Sequence, residues 1–330
     1  MFEGKKILIT GGTGSLGTAL TKRLLNTNAE TIRIFSRDEW KQVQMQSKLN
    51  DKRLRFFIGD VRDKNRLTRA MEDINIVIHA AALKQVPVAE YNPFEAVQTN
   101  VLGAQNVIES CFTNEVEAAL AVGTDKAVSP FNTYGATKFL MERLFVSANY
   151  YKGKHKTNFL GVRYGNVLGS RGSIIHVMLE QIKDGKKITI TDPTMTRFNI
   201  TMEQSLDLIF RALKNGKGGE IFVPKLKAYK LEDMKNSILE LMKAKNEVKI
   251  IGVRPGEKYH ESLISREETR NTYESDMDYI IYEKDTQDPN RELHAKKSNL
   301  SEQYSSDKVP LLSKDEIKDI LIKEKFLPIN

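Results

Sequence analysis

The sequence predicts an α/β chain built on a doubly wound parallel sheet, followed by a smaller mixed α/β region. Short apolar runs alternate with stretches of helical periodicity through the first half of the 330 residues. The runs are rich in Val, Ile and Phe without the every-second-residue alternation of a half-exposed strand, so both faces of the sheet are covered. A glycine-rich turn, TGGTGSLG, separates the first run from the first helical stretch, where a strand–turn–helix unit for phosphate binding would place it.

In order, KKILIT, TIRIF, LRFFIGD, INIVIHAAA, AALAVG and NFLGVRYG read as strands. Between them SLGTALTKRLLN, DEWKQVQMQSKL, NRLTRAMED, FEAVQTNVLGAQNVIESCF and YGATKFLMERLFVSANYY read as helices. Right-handed crossovers then wind the sheet in both directions from its centre. Beyond about residue 166 the rhythm loosens. GSIIHVMLEQIKDG reads as a helix, KITIT as a short strand, and MEQSLDLIFRALKNG as a helix closed by Gly216. GGEIFVPK is a further strand, a helix follows near 231–244, and an amphipathic one lies near 314–324. The expected division is a dinucleotide-binding Rossmann domain over 1–166 and a substrate-binding region over 167–330, interleaved with the first and with an approximate boundary.

Composition excludes several classes. The chain is 40% apolar and 28% charged, as in a globular protein. One cysteine, Cys111, rules out an internal disulfide framework, and five scattered histidines form no metal-ligand spacing. The longest apolar run, INIVIHAAAL, is too short to span a bilayer, and MFEGKKILIT leaves no room for an export signal. The expected location is the cytoplasm, with no membrane partner. Net charge is +8, but lysines and acids are interspersed, as in LEDMKNSILELMKAKNE, so no nucleic-acid partner is expected.

The glycine-rich turn satisfies GxGxxG through Gly12, Gly14 and Gly17, and GxxGxxG through Gly11, Gly14 and Gly17; spacing does not choose. Either lets the backbone approach a pyrophosphate at a helix N-terminus. The expected contacts in this turn are Gly11, Thr13, Gly14, Ser15, Leu16 and Gly17. After the second strand, Ser36 and Arg37 occupy the ribose-facing corner. A guanidinium there suits the 2′-phosphate of NADP. Ser36 as a helix cap with Glu39, and Arg37 as a solvated charge, is the structural alternative. Asp60 and Val61 end the third strand near the adenine, and Ala80, Ala81 and Ala82 pass the cofactor's middle. Lys84 either faces the reacting end or is solvent-exposed.

YxxxK occurs three times, but only Tyr134/Lys138 follows a strand of the predicted sheet and opens a long helix. One turn apart, the two side chains share a face. A nearby ammonium lowers a phenol's pKa, so Tyr134 is expected to act as base toward a substrate hydroxyl. Thr124 would bond the same oxygen, and Lys138 would hold the nicotinamide ribose.

With TGGTGSLG, HAAALKQVP, Thr124 and YGATK together, the chain resembles the extended short-chain dehydrogenase/reductase superfamily. Through SRDE, GDVRD, AEYNP, TDKA, RYGNVLGSRGS, ITDPTMTRF, EIFVPK and RPGEKYHE it is most similar to the inverting UDP-N-acetylglucosamine 4,6-dehydratases that begin pseudaminic acid synthesis. That resemblance implies a redox-neutral hydro-lyase: oxidation at C4, loss of the C5 proton and the C6 hydroxyl, then hydride return to C6. Retaining dehydratases carry Thr-Asp-Glu where this chain has Thr124-Asp125-Lys126. The resemblance assigns Asp125 as the acid for water loss and Lys126 as the C5 base, with burial expected to lower the lysine's pKa. It assigns UDP-N-acetylglucosamine to Lys84, Asn166, Arg171, Arg197, Arg254 and Glu257, and implies a homo-oligomer, from dimer to hexamer. A relative that epimerises further toward N-acetyl-L-fucosamine, and a non-catalytic NADP sensor, are the alternatives.

Overall fold

The computed structural model describes residues 1–170, 172–282 and 295–326. Six parallel strands open the chain: β1 (Lys6–Thr10), β2 (Thr31–Ser36), β3 (Leu54–Ile58), β4 (Ile76–His79), β5 (Ala118–Val122) and β6 (Asn158–Val162). They lie in the order β3-β2-β1-β4-β5-β6, so the winding reverses between β1 and β4. Both faces are buried, as the strand composition predicts. Ile7 and Ile9 of β1 pack into one core with Leu20 and Leu24, while Leu8 packs into the other with Val107 and Phe145.

Helices α1 (Ser15–Leu25) and α2 (Glu39–Leu49) cover the first face. On the second, α3 (Lys64–Ala70) and the long crossover helices lie. The connection after β4 is more broken than its periodicity suggests. Two short helices, α4 (Val86–Tyr91) and α5 (Pro93–Ala96), precede a π-turn over Val97–Leu102 and then α6 (Gly103–Thr113). The π-turn turns Asn100 inward. Its amide donates to Leu83 O at 3.0 Å and Thr137 Oγ1 at 3.0 Å, while its carbonyl accepts from Leu83 N at 2.8 Å. One buried side chain thus ties the loop after β4 to α7 (Thr133–Tyr151).

After β6 the chain leaves the large sheet and returns twice. Strand Glu220–Pro224 extends the parallel sheet beside β6, and the antiparallel strands Asp278–Tyr282, Thr272–Glu274 and Lys296–Lys297 complete a ten-stranded sheet. The three antiparallel edge strands lie where the sequence shows only a polar, charge-rich stretch. The excursions form a second layer. Ile175, Met178, Ile188, Ile190, Met195 and Tyr229 pack there with Leu231, Met234, Ile238, Ile317 and Leu321. Helix Met202–Asn215 ends at Gly216 and starts in a capping box of Thr201 and Gln204.

Behind the sheet's C-terminal edge, Arg163 is 1% exposed and all its nitrogens are engaged. It donates to Glu142 at 2.7 Å, to Glu268 at 2.9 and 3.0 Å, and to Leu263 O at 2.9 Å. This triad joins β6, α7 and the segment beginning at strand Ser262–Ile264. Removing one member strands a buried charge, so Glu142→Ala is expected to lower stability by about 3–5 kcal/mol in urea unfolding. A loss under about 1 kcal/mol, the scale of an exposed pair, would show that the triad does not hold these elements together.

Candidate active site

The C-terminal ends of β1, β2, β4, β5 and β6 open into a continuous cleft of about 990 Å³. Its deep end sits where the strand order reverses, the place at which open α/β sheets bind ligands. Gly11 turns the chain there at φ +66°, and a Cβ on it would stand 2.8–2.9 Å from the backbone of Ala80 and Ala81. Gly17 packs on Gly12, where a Cβ would come within 2.5 Å. Both glycine spacings are therefore used at once. No side chain caps α1 at Gly14, which leaves the helix N-terminus facing the cleft, a fitting seat for a pyrophosphate.

Thr13, Gly14, Ser15, Leu16 and Gly17 line this end, and Ala80, Ala81, Ala82 and Val61 continue the wall. At the ribose corner Ser36 is buried as the last residue of β2 and accepts from Gln42 at 3.0 Å. It does not cap α2; Asp38 does, accepting from Lys41 N. The Arg37 side chain is 57% exposed and reaches Asp60 only at 3.5 Å, so its guanidinium remains open to an anion. Burial works against ionisation at Asp60, but bonds from Arg62 outweigh it and hold the carboxyl below its ordinary value.

The reacting end is built by two tight contacts. Thr124 caps a single 3₁₀ turn, Asp125–Ala127, directly after β5. Asn132 caps α7 by accepting from Gly135 N at 2.7 Å. Helix and turn meet at Gly135, where a Cβ would lie 2.2 Å from Lys126 O; only glycine lets α7 seat Tyr134 and Lys138 against the turn. Thr124 and Tyr134 both line this end of the cleft.

Here two expectations are corrected. Burial pushes the Tyr134 phenol up to about 12, and the nearby Lys126 charge and Thr124 bond only partly offset it. Lys138 does not act on the phenol as expected: its ammonium donates to Met141 Sδ at 2.8 Å, and burial draws its own pKa down to about 8. Beneath it, His79 is held neutral, drawn down to about 3 by burial and then by Lys138. The second correction is Lys126. Burial alone would lower its pKa, but the carboxylates of Asp125 and Glu261, 3.1 and 3.3 Å away, raise it above the ordinary lysine value. Lys126 rests as an ammonium.

Asp125 lies behind the cleft wall, 1% exposed. Its Oδ1 accepts from Thr124 and Lys126, and its Oδ2 has no partner among the described residues. Burial raises its pKa, Lys126 opposes this, and Glu261 adds to it. The net effect raises its pKa.

On the substrate side, Lys84, Asn166, Arg254 and Glu257 line the cleft. Arg171 lies outside the described residues. Arg197 also borders the cleft but is 6% exposed and engaged by protein, donating to Thr196 O at 2.8 Å, Tyr259 O at 3.0 Å and Glu257 at 3.0 Å. Residues 254–261 form a strap sewn to the Asp125–Ala127 turn and the start of α7. Lys258 donates to Val128 O and Ser129 O at 2.7 and 2.8 Å, and Asn132 to Gly256 O at 2.7 Å. Three lining residues, Tyr164, Tyr229 and Glu261, escape sequence reasoning. Glu261 ends the RPGEKYHE motif, but spacing does not reveal its approach to Lys126.

Residues 7–283 match the family model described as polysaccharide biosynthesis protein. A curated protein of Campylobacter jejuni serotype O:2, named UDP-N-acetylglucosamine 4,6-dehydratase (inverting), is 46% identical over 97% of this chain and 98% of its own length. A Rickettsia rickettsii protein named UDP-glucose 4-epimerase is 42% identical over 98% of this chain and 96% of its own. The X-ray structure of Pen from Bacillus thuringiensis matches with a TM-score of 0.93 at 39% identity, covering 99% of each chain.

The state of Lys138 is testable without ligand. Its folded pKa of about 8 lies below the unfolded value of about 10.4. Between these the unfolded chain binds more protons, so this group's contribution to stability is complete above about pH 10.4 and lost as pH falls to about 8. Lys138→Met removes that slope. In urea unfolding, the stability difference between wild type and variant is expected to move in favour of wild type by about 3 kcal/mol from pH 7 to 10.5.

Proposed function

We propose a function from the premise that this chain belongs to the polysaccharide biosynthesis protein family and has the extended short-chain dehydrogenase/reductase fold. It is a hydro-lyase that dehydrates UDP-N-acetylglucosamine across C5 and C6 with inversion at C5, giving UDP-2-acetamido-2,6-dideoxy-β-L-arabino-hexos-4-ulose. The observation that carries this reading is Asp125: a buried carboxyl with its pKa raised by burial, directly behind the wall of the cleft's reacting end and 3.1 Å from Lys126, which lines it.

The glycine turn over residues 11–17, Val61 and residues 80–82 would hold a nicotinamide dinucleotide, whose reversible hydride chemistry would serve oxidation at C4 and reduction at C6. The uncapped N-terminus of α1 and the close approach at Gly11 fit its pyrophosphate. The choice of NADP is supported by the open guanidinium of Arg37 and by Lys41 on the same wall. Mass spectrometry of cofactor released on denaturation distinguishes it from NAD.

Thr124 and Tyr134 bracket the C4 oxygen, and the phenol exchanges its proton with that oxygen. A ketone at C4 acidifies the C5 proton, which Lys126 removes. Asp125 passes its proton to the C6 hydroxyl as the C–O bond breaks and water leaves. Lys84, Asn166, Arg171 and Arg254 are proposed to hold the nucleotide sugar. Arg197 would do so through its lock on Glu257.

The same fold also carries relatives named as 4-epimerases, but moving hydride on and off C4 alone uses neither Asp125 nor Lys126. Incubation with UDP-N-acetylglucosamine and no added reductant is expected to give a product lighter by one water. In heavy water C5 becomes labelled, and NMR reports the L-arabino configuration. A product of unchanged mass would sink the dehydratase reading, and retained configuration would sink the inversion. Asp125→Asn is expected to lower kcat by about 10²–10⁴-fold. Lys126→Met is expected to keep cofactor binding and lose water elimination.

A further inference from the structure

The Lys126 ammonium sits between three oxygens: Asp125 Oδ1 at 3.1 Å, Glu261 Oε1 at 3.3 Å and Asn166 Oδ1 at 3.4 Å. A base must first lose that proton, and the geometry limits where it can go. Asn166 cannot accept a proton. Asp125 is the proton donor to the C6 oxygen and must keep its own until water leaves. Glu261 remains. Its side chain is 2% exposed, and its Oε2 has no hydrogen-bond partner among the described residues. Burial and that unsolvated oxygen work toward protonation, while the charges of Lys126 and Arg197 outweigh them and hold the carboxylate ionised until the lysine proton moves.

Resting on the dehydratase reading, we propose that Glu261 is a positioning residue that receives the proton Lys126 must release before attacking C5. One N–H bond of Lys126 breaks and an O–H bond forms on Glu261. The freed lone pair takes the C5 proton, and the C5–H electrons form the C5–C6 double bond as the C6–O bond breaks. Asp125 supplies the proton that completes the water. The three side chains begin as neutral acid, ammonium and carboxylate, and end as carboxylate, ammonium and neutral acid. Their summed charge is zero throughout.

The surroundings suit both ends of the transfer. Lys126 is faced by Asp125 on its own turn, Tyr134 on α7, Arg197, Tyr229 and Glu261. Glu261 is faced by Lys126, Arg197 and Lys258, which keep it ionised at rest and so able to accept. Its backbone is fixed on both sides: Glu261 N donates to Ser306 Oγ at 3.0 Å, and Ser306 N donates to Glu261 O at 2.8 Å.

Glu261→Gln keeps the shape and removes the acceptor. In the cofactor-loaded enzyme kcat is expected to fall at least about tenfold at pH 7 with little change in KM, then recover about tenfold per pH unit as solvent takes the Lys126 proton. Glu261→Asp should retain most of the activity and the flat wild-type profile. A reading independent of turnover is NMR titration of ¹³C-labelled lysines, with Lys126 assigned through Lys126→Met. There Glu261→Gln should lower the Lys126 midpoint. A wild-type rate with a flat profile, a rate loss equal at every pH, or an unmoved Lys126 midpoint would each overturn the assignment. Failure of the wild type to dehydrate UDP-N-acetylglucosamine would instead defeat the function, with the NMR titration still deciding whether Glu261 controls the Lys126 proton.

Discussion

One half-buried ammonium held between two buried carboxyl groups sets the requirements that the rest of the site meets. Lys126, Asp125 and Glu261 come from two segments more than 130 residues apart, and a buried ion cluster tolerates little misplacement. Asp125 and Lys126 are fixed by the cap at Thr124 and by the contact of Gly135 on the turn. Glu261 is fixed from behind: the strand it precedes is gripped by Arg163, which also holds α7 through Glu142. The Arg163 triad and the Asp125–Lys126–Glu261 cluster thus both depend on α7 and on the chain around Ser262–Ile264. The first orders the second without touching the cleft.

The two layers divide the work by their chemistry. The parallel sheet presents backbone, small residues and a helix N-terminus, which suit a long anionic ligand that must lie close to the chain. The second layer and its strap present charged side chains, several locked by protein partners before any ligand arrives. Arg197 is the clearest case. Its two terminal nitrogens are engaged by carbonyls and by Glu257, so the arginine fixes the Glu257 side chain before any ligand arrives.

The parallel half of the fold was legible because each buried strand advertises itself locally, through an apolar run bounded by turn residues. The strands Thr272–Glu274 and Asp278–Tyr282 were not, because they are short, sit within a charge-rich stretch and pair in succession onto Glu220–Pro224 across the sheet. The same division runs through the site. The glycine turn, Thr124, Tyr134 and Lys138 were readable because spacing along one strand or helix fixes their placement. The charge state of Lys126 was misread because burial is outweighed by Asp125 beside it together with Glu261, a partner 135 positions away in sequence that no spacing reveals. The Tyr134 phenol was misread because burial, which no spacing reports, outweighs the neighbouring charge.

Relatives of nearly equal identity carry two different activities in their names, so overall likeness does not select the chemistry; the proton inventory does. Moving a hydride on and off one carbon needs a group that trades a proton with a single oxygen, and Thr124 with Tyr134 suffices. Placing a second acid where burial raises its pKa and leaves an oxygen without a partner costs stability. Setting an ammonium beside it requires a further carboxylate, brought in on a strap with its own anchoring bonds. A reaction that only inverts C4 offers no return on such an arrangement. A reaction that must protonate a leaving hydroxyl while removing a carbon-bound proton next to it needs both charges, close together and shielded from water. The geometry around Asp125, Lys126 and Glu261 therefore supports the proposed dehydration over an activity that the fold alone accommodates equally.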